Sequence, residues 1–218
     1  DLRERDEDGD NHPNRLGDIV YSRPVEVGPK NGQYNSMLGY TTYVAGRQSQ
    51  PRLLLVGAND GMLHAFDTTS GEELWAYIPA AVVPYLETLS REYYNRLYRR
   101  SFVDGLISVE DVFINGAWKT YAMFGLRTGG NSYTVLDITD RASPVLVYEV
   151  SSPTNVGQSW TKPRAILYNN STGSSDPDDY TWAMVVGTGE GKTTAGTKIL
   201  VYPLESSTAP TPTAINIS

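Results

Sequence analysis

The sequence predicts an all-β fold, and three observations carry this prediction. The chain has 218 residues, long enough to bury a large core, and its 20 Gly, 13 Pro and 15 Tyr suit many short strands joined by turns. Leucine-rich helical periodicity is scarce, and residues 79–100 are the main exception. Residues 53–77 contain strand-like runs separated by turn residues, and this unit recurs later in altered form.

The composition limits which partners the chain is expected to bind and which catalytic or metal sites it could form. A formal net charge of -7 disfavours nucleic acid, because binding to phosphates depends on basic residues. The chain has no cysteine, so disulfides are excluded. Its histidines are His12 and His64, which are too few for a zinc site built on a histidine cluster and leave little choice of residue for a catalytic triad that contains histidine. No apolar run approaches the roughly 18 residues of a membrane-spanning helix. Since no signal segment opens the sequence, we expect a mature or excised soluble piece.

Residues 1–15 are expected to form an acidic leader. The first ten residues contain six acidic and two basic side chains, a composition typical of a solvated segment. Asp6, Asp8 and Asp10 alternate as calcium ligands do, but Gly9 stands at the fourth position of such a loop, where the turn glycine belongs at the sixth. A charged tail is therefore favoured over a calcium site, for which these three aspartates are the candidate ligands.

The first predicted set of strands begins with Leu16–Val27, which Pro24 restricts to an edge or bulged strand because proline lacks an amide proton. Residues 28–50 are predicted to be a long loop or hairpin. Three strands of a meander follow: Leu53–Val56, Met62–Asp67 and Leu74–Tyr77. Between the first two of these, Asn59-Asp60-Gly61 predicts a two-residue hairpin turn with positive φ angles.

Residues 79–100 predict a short surface helix, with Pro84 in its first turn. The basic residues near its end are Arg91, Arg96, Arg99 and Arg100. Cations near the end of a helix interact favourably with its dipole, so a structural role for these arginines is favoured over a phosphate- or lipid-binding patch.

Two further sets of strands follow. The second comprises Phe102–Ile114, Trp118–Gly125, Ser132–Ile138 and Val145–Val150, and the third comprises Trp160–Tyr168, Tyr180–Gly187 and Lys198–Leu204. Residues 206–218 are rich in Ser, Thr and Pro and are predicted to be a linker-like tail.

The three sets align as an internal repeat. Val56-Gly57, Phe124-Gly125 and Val186-Gly187 occupy equivalent positions. Repeated four-stranded units are typical of propeller blades, which bury their faces against one another. Closed propellers need at least about four blades, so residues 16–205 predict a partial, modified β-propeller of about three four-stranded antiparallel blades with a short helical insertion. Stacked sheets are the alternative, and a second chain is a possible partner for exposed edges.

A Gly-Lys-Thr motif and His64 resemble parts of active sites, but a structural role is favoured for each. Val185–Thr194 contains Gly-Lys-Thr, but Gly187 and Gly191 enclose three residues where a phosphate loop needs four, and a strand is predicted next instead of a helix. His64 lies on an apolar strand face, and no triad partner is evident nearby in the sequence, so we expect a hydrogen-bonded core histidine. Asp67 and Asp137 end strands, where a carboxylate accepts turn amides.

Four segments carry a resemblance to a known family. They are LGDIVYSRPVEVG, VGANDGMLHAFDTTSGEELWAYIP, the Val103-Asp104-Gly105 turn and GLRTGGNSYTVLDITD. Together they resemble the C-terminal propeller domain of the PilY/PilC type IV pilus tip-associated proteins. The sequence departs from the family pattern at Ser22-Arg23-Pro24 and Gly105-Leu106-Ile107, where Ser-Ser-Pro and Gly-Ser-Pro are usual. No match to the family's calcium loop is found.

The resemblance implies a non-catalytic propeller segment that supports pilus assembly, adhesion, surface sensing and twitching motility. It implies minor pilins, the pilus tip complex and a host or abiotic surface as partners, and an extracellular location at the pilus tip or outer membrane surface. Calcium is possible from the family resemblance alone, and no cofactor is expected in this segment. The same central segment also resembles blades of quinoprotein dehydrogenases, so a fragment of an enzyme dependent on pyrroloquinoline quinone (PQQ) is the alternative.

Overall fold

The computed structural model describes residues 16–34, 36–91, 100–151, 156–169, 180–190 and 197–217. Within these ranges, twelve strands form three four-stranded antiparallel sheets. The first sheet contains β1 (Val25–Val27), β2 (Leu53–Gly57), β3 (Leu63–Asp67) and β4 (Glu73–Tyr77). The second contains β5 (Ile107–Ile114), β6 (Ala117–Gly125), β7 (Ser132–Asp137) and β8 (Val145–Ser151). The third contains β9 (Arg164–Asn169), β10 (Tyr180–Gly187), β11 (Lys198–Pro203) and β12 (Thr213–Asn216).

The second sheet lies between the other two, and each of its faces packs into a separate core. Along β6, Ala122 and Phe124 pack against the first sheet, while Tyr121 and Met123 pack against the third. This alternation follows from the period of two along a strand. In sequence order, β1 contacts β5 and β5 contacts β9. The first strands of the sheets are therefore neighbours, as the innermost strands of propeller blades are.

The first strand is shorter than predicted. The sequence predicted a strand over Leu16–Val27, but β1 covers only the three residues that follow Pro24. The amide of Gly17 donates to the Asp60 carboxylate, and the amide of Tyr21 donates to the Asp104 carboxylate. Neither amide pairs with a neighbouring strand. β1 nevertheless lies at the edge of its sheet, as Pro24 predicted.

The turn at Asn59-Asp60-Gly61 also differs from the prediction. Gly61 has a φ of 96°, but Asp60 does not adopt a positive φ. Ala58 N–H donates to the Met62 carbonyl at 3.0 Å and closes a wider loop, inside which the Asp60 carboxylate is buried. The two-residue geometry occurs instead at Asn115-Gly116, with φ angles of 52° and 77°, between β5 and β6.

The predicted tail supplies the last strand of the third sheet. Residues 206–218 were predicted to be a linker, but Thr213–Asn216 pairs with β11, with Ile215 opposite Ile199. All four β12 side chains are exposed. The strand is therefore held by its backbone pairing, and the burial pattern that usually reveals a strand in a sequence is absent.

In the described part of the chain, two short α-helices, each preceded by a 3-10 helix, lie outside the sheets. Residues 28–50 were predicted to be a loop or hairpin, but they contain a 3-10 helix (Met37–Gly39) followed by α1 (Tyr40–Ala45). The predicted helix of residues 79–100 consists of a 3-10 turn (Val83–Tyr85) and α2 (Leu86–Ser90), while residues 92–99 lie outside the described ranges. Among the described residues, neither helix has the length and apolar character needed to cross a membrane.

Candidate interaction surface

The loops at one end of the three sheets contact one another, and we call this end of the molecule the loop face; residues 102–105 are buried beneath its exposed side chains. It consists of residues 16–22, 58–61, 102–105, 126–130 and 157–161. These segments either precede the first strand of a sheet or follow its second strand, and hydrogen bonds between them join all three sheets.

A repeated contact builds the base of the loop face. The amide of Gly57, at the end of β2, donates to the Ser22 hydroxyl at 2.8 Å, and the amide of Gly187, at the end of β10, donates to the Thr161 hydroxyl at 3.2 Å. Ser22-Arg23-Pro24 and Thr161-Lys162-Pro163 each immediately precede the first strand of their sheet. The equal placement of these two hydroxyl-x-Pro segments is the sequence signal for this repeated contact.

The second sheet replaces this hydroxyl with a glycine. A Cβ on Gly105 would lie 2.2 Å from the Gly125 carbonyl oxygen, far inside van der Waals contact. Only glycine allows the two backbones to approach so closely. The departure from the family pattern at Gly105-Leu106-Ile107 therefore leaves the glycine contact in place.

Asp104 joins the first and second sheets. Its side chain is buried, and its carboxylate accepts the Tyr21 amide at 2.8 Å and pairs with Arg127 Nη1 at 3.3 Å. Nearby, the amide of Phe102 donates to the Asn59 side-chain oxygen at 3.0 Å. The segment between the two sheets is therefore fixed by side chains from both of them.

Arg127 lies between two aromatic rings. Its guanidinium carbon is 3.2 Å from the centroid of the Tyr21 ring and 4.1 Å from that of Trp160. The Arg127 backbone has a φ of 54° and donates its amide to the Ser159 carbonyl at 3.2 Å. We call Tyr21, Arg127 and Trp160 the aromatic–arginine stack. The three residues come from loops of the first, second and third sheets, respectively.

The aromatic–arginine stack is accessible to a partner. Tyr21 is 54% exposed and Trp160 is 38% exposed, and Ile19 and Val20 immediately before Tyr21 are also exposed. Tyr, Trp and Arg are enriched among the residues that contribute most to protein interfaces. Rigid aromatic groups lose little conformational entropy on binding. This arrangement fits protein recognition better than it fits bond-making chemistry.

His64 is a buried, hydrogen-bonded histidine, as the sequence predicted. Its Nδ1 lies 2.6 Å from the Glu73 carboxylate, and its Nε2 lies 3.0 Å from the Asp60 carboxylate. The prediction that no triad partner lies nearby in the sequence overlooked Asp60, a carboxylate four residues away that bonds to the ring. Because both ring nitrogens are engaged by carboxylates, His64 is not available as a general base.

Opposing effects set the protonation of this pair. Burial alone would lower the pKa of His64, but the hydrogen bonds to Asp60 and Glu73 outweigh it and raise the pKa above its usual value. For Asp60, burial opposes ionisation, but the bonds from His64 and from the amides of Gly17 and Met62 lower its pKa overall. The ion pair thus anchors residue 17 of the loop face to the first sheet.

The metal candidates Asp6, Asp8 and Asp10 lie outside the described residues, so calcium binding there stays a prediction. Within the described ranges, no cluster of three or more His, Asp or Glu side chains is arranged to hold a metal ion.

The remaining motifs have structural roles where the structure describes them. Asp67 accepts the Thr69 amide at 2.7 Å, and Asp137 accepts the Thr139 amide at 2.9 Å, as predicted for turns. After the Gly187 end of β10, Lys198–Pro203 forms a strand where a phosphate loop would need a helix. Residues 191–194 of this motif lie outside the described ranges.

The basic cluster is only partly described. Arg91 pairs with Glu87 of α2, and the guanidinium carbon of Arg100 lies 3.9 Å from the centroid of the Tyr85 ring. Arg96 and Arg99 lie outside the described residues.

Comparison with known proteins identifies the family. A family model described as the PilY1 beta-propeller domain matches residues 16–210. The type IV pilus biogenesis factor PilY1 of Pseudomonas aeruginosa PAO1 is 35% identical over 215 residues, which cover 93% of this chain and 18% of that protein. A PilY1 homolog of Xylella fastidiosa is 30% identical over 196 residues, covering 87% of this chain and 15% of that protein. The chain therefore spans less than a fifth of these curated relatives.

A solved structure agrees with the sequence comparisons. The crystal structure of the Pseudomonas aeruginosa PilY1 C-terminal domain superposes with a TM-score of 0.66 at 29% identity, covering 88% of this chain and 37% of that one. This confirms the all-β, propeller-type prediction. The relatives are named as pilus biogenesis factors and not as enzymes, which supports the non-catalytic prediction and disfavours the quinoprotein alternative. The chain belongs to the PilY1 beta-propeller domain family.

Proposed function

We propose that this chain is a non-catalytic module of a type IV pilus biogenesis factor and that it binds another pilus protein through the loop face. The observation that carries this proposal is the exposed aromatic–arginine stack, to which all three sheets contribute one residue. Minor pilins of the pilus tip complex are the proposed partners. The proposed location is extracellular, at the pilus tip or the outer membrane surface.

Support for binding comes from the way the stack is held. Asp104 fixes both Tyr21 and Arg127, and Ser159 fixes the backbone of Arg127. A surface that is ordered before binding pays less entropy on association than a mobile one does. The loop face therefore offers large aromatic contact area in a geometry that the sheets have already set.

The binding test compares two exposed positions. Trp160→Ala removes a ring from the stack, whereas Val145→Ala shortens a 60% exposed side chain on β8, away from the loop face. Titration of the purified variants with purified minor pilins should show Kd raised by at least about 30-fold for Trp160→Ala, the effect of an interface hot spot, and unchanged for Val145→Ala. Equal affinities for the two variants would contradict the proposal.

A cellular test addresses adhesion, surface sensing and motility, which we propose as consequences of this binding. Deletion of the protein should abolish surface pili and twitching, and a copy carrying Trp160→Ala should fail to restore them although it accumulates to normal levels. Normal pili and motility in the deletion strain would rule out the assembly role. Normal motility with the Trp160→Ala copy would instead place the binding surface elsewhere on the protein.

Calcium binding by the leader is a separate proposal that rests on Asp6, Asp8 and Asp10 and on the family resemblance. Calorimetric titration with calcium should give heat that the triple substitution Asp6→Asn, Asp8→Asn, Asp10→Asn removes. Identical titrations for both proteins would place any calcium site elsewhere.

A further inference from the structure

Two arginines are buried together on the side of the second sheet that carries α1. Arg47 lies in the turn after α1 and is 3% exposed, and Arg141 lies in the turn between β7 and β8 and is 1% exposed. Arg141 is the largest of the fully buried side chains in the described part of the chain. Burying a guanidinium is costly unless an opposite charge compensates for it.

The visible partners of both arginines are neutral. Arg47 Nη1 donates to the Thr139 carbonyl, Arg141 Nη1 donates to the Pro51 carbonyl at 2.7 Å, and Arg141 Nη2 donates to the Gly28 carbonyl at 2.6 Å. Among the described residues, no carboxylate forms an ion pair with either guanidinium. Each turn thus holds the other through carbonyl groups. The guanidinium carbon of Arg47 also lies 4.9 Å from the centroid of the Tyr43 ring, and the buried Asp111 carboxylate favours the charged form of Arg141 without forming an ion pair with it.

The unpaired atoms have a recognisable arrangement. Arg47 Nε and Nη2 are both buried without a hydrogen-bond partner, and so is Arg141 Nε. Nε and Nη2 form one edge of a guanidinium and point two parallel N–H groups in the same direction, which matches two oxygens of an oxyanion. The buried amide oxygen of Gln50 also has no partner, and exchanging the oxygen and nitrogen of that amide would add another donor.

The electrostatics agree with this geometry. Burial, and then the positive charge of Arg47, lower the pKa of Arg141 to about 10. Arg141 is still protonated at neutral pH, so the two positive charges repel each other in a site with little water. A negative charge between them would remove both the repulsion and the unpaired donors.

We propose that a small oxyanion binds between Arg47 and Arg141 and accepts hydrogen bonds from Nε and Nη2 of Arg47 and from Nε of Arg141. The near-complete burial of both side chains restricts the ligand to a small inorganic ion, of which phosphate and sulfate have suitable oxygens. The bound anion would fasten α1 and the turn after it to the β7–β8 turn. This inference is independent of the loop face and of the proposed function.

The solution test measures the Tm of the purified protein in a chloride buffer at constant ionic strength while phosphate or sulfate is added. A saturable rise of roughly 3–6 °C at a tenfold excess over Kd is expected for wild type. Arg47→Lys keeps the charge but loses the two-donor edge and should lose the rise. Arg91→Gln, which changes an exposed arginine paired with Glu87, should retain it. A rise of equal size in all three proteins, or no rise in wild type, would overturn the proposal.

A crystallographic test stands even if Arg47→Lys fails to fold. Wild-type crystals grown with selenate should show anomalous density for selenium within hydrogen-bond distance of Arg47 Nε and Nη2. Ordered water at this position, with no anomalous density, would show that hydration satisfies the arginines and would refute an anion site.

Discussion

The second and third sheets have the same strand order, but side chains are more exposed in the third sheet. The difference shows how packing on one face or on both faces of a sheet constrains its sequence. In the second sheet, the run from Thr120 to Gly125 is buried throughout, because both faces of β6 meet another sheet. In the third sheet, one face packs on the second sheet and Leu200, Val201 and Tyr202 of β11 are buried. Ile166 of β9 and Ile215 of β12, on the face turned away from the second sheet, are 40% and 45% exposed. A strand covered on both faces needs a continuous apolar run, whereas one covered on a single face tolerates polar alternation.

The largest expected difference between the two sheets follows from truncating one side chain in each. Phe124→Ala in β6 removes a ring with 0% exposure from the core between the first and second sheets and should cost about 3–5 kcal/mol of unfolding free energy. Leu167→Ala in β9 removes a side chain that is 54% exposed and should change the unfolding free energy by no more than about 0.5 kcal/mol. Urea denaturation measures both values, and similar losses would show that the third sheet is covered in solution.

A second prediction concerns the close approach of backbones at the base of the loop face. Gly105→Ala places a Cβ 2.2 Å from the Gly125 carbonyl oxygen and should cost at least about 1–3 kcal/mol, because two backbones must separate. Gly28→Ala is the matched control, since its new Cβ meets no atom closer than 3.7 Å. Equal melting temperatures for the two variants would mean that the contact is not maintained in solution.

A third prediction uses the buried ion pair of the first sheet. The pKa of His64 is raised on folding, so its charged form stabilises the fold fully below its unfolded pKa of about 6.5, and this stability is lost as pH rises through the folded pKa. The unfolding free energy should therefore fall as pH is raised above about 6.5 in wild type, and His64→Gln should remove this slope. A slope that persists in His64→Gln would assign the pH dependence to other groups.

The last prediction concerns a small effect on stability at the loop face. Trp160→Ala removes one cation–π contact with Arg127 and should cost about 1 kcal/mol or less, because the ring is partly exposed. This loss is far smaller than that expected for Phe124→Ala, although both variants delete a large aromatic ring. A loss as large as that of Phe124→Ala would make Trp160 a core residue rather than a binding residue.

Most of the fold could be predicted from the sequence because strand runs, turn residues and the repeated strand-ending glycines are local signals. β12 could not, since its side chains are all exposed and its position depends on backbone pairing with β11. α1 was missed for a related reason. Tyr40 is buried because its hydroxyl donates to the Asp111 carboxylate at 2.6 Å and its ring packs against Trp118. Neither contact produces a helical pattern of apolar residues in the sequence.

The surface was harder to predict than the fold. Tyr21, Arg127 and Trp160 are far apart in the chain, and each is unremarkable in its local sequence. They meet because the loops before the first strand and after the second strand of successive sheets emerge at the same end. The arginine pair has the same origin, since Arg47 and Arg141 lie in different turns and approach each other only after the segment with α1 has packed on the second sheet.

Hydrogen–deuterium exchange of the protein with and without bound minor pilins tests the central claim most directly. Binding through the loop face predicts new protection of backbone amides in residues 16–22, 126–130 and 157–161, with no change in β8 or β12. Protection confined to β8 and β12, with the loop face exchanging as in the free protein, would contradict this account.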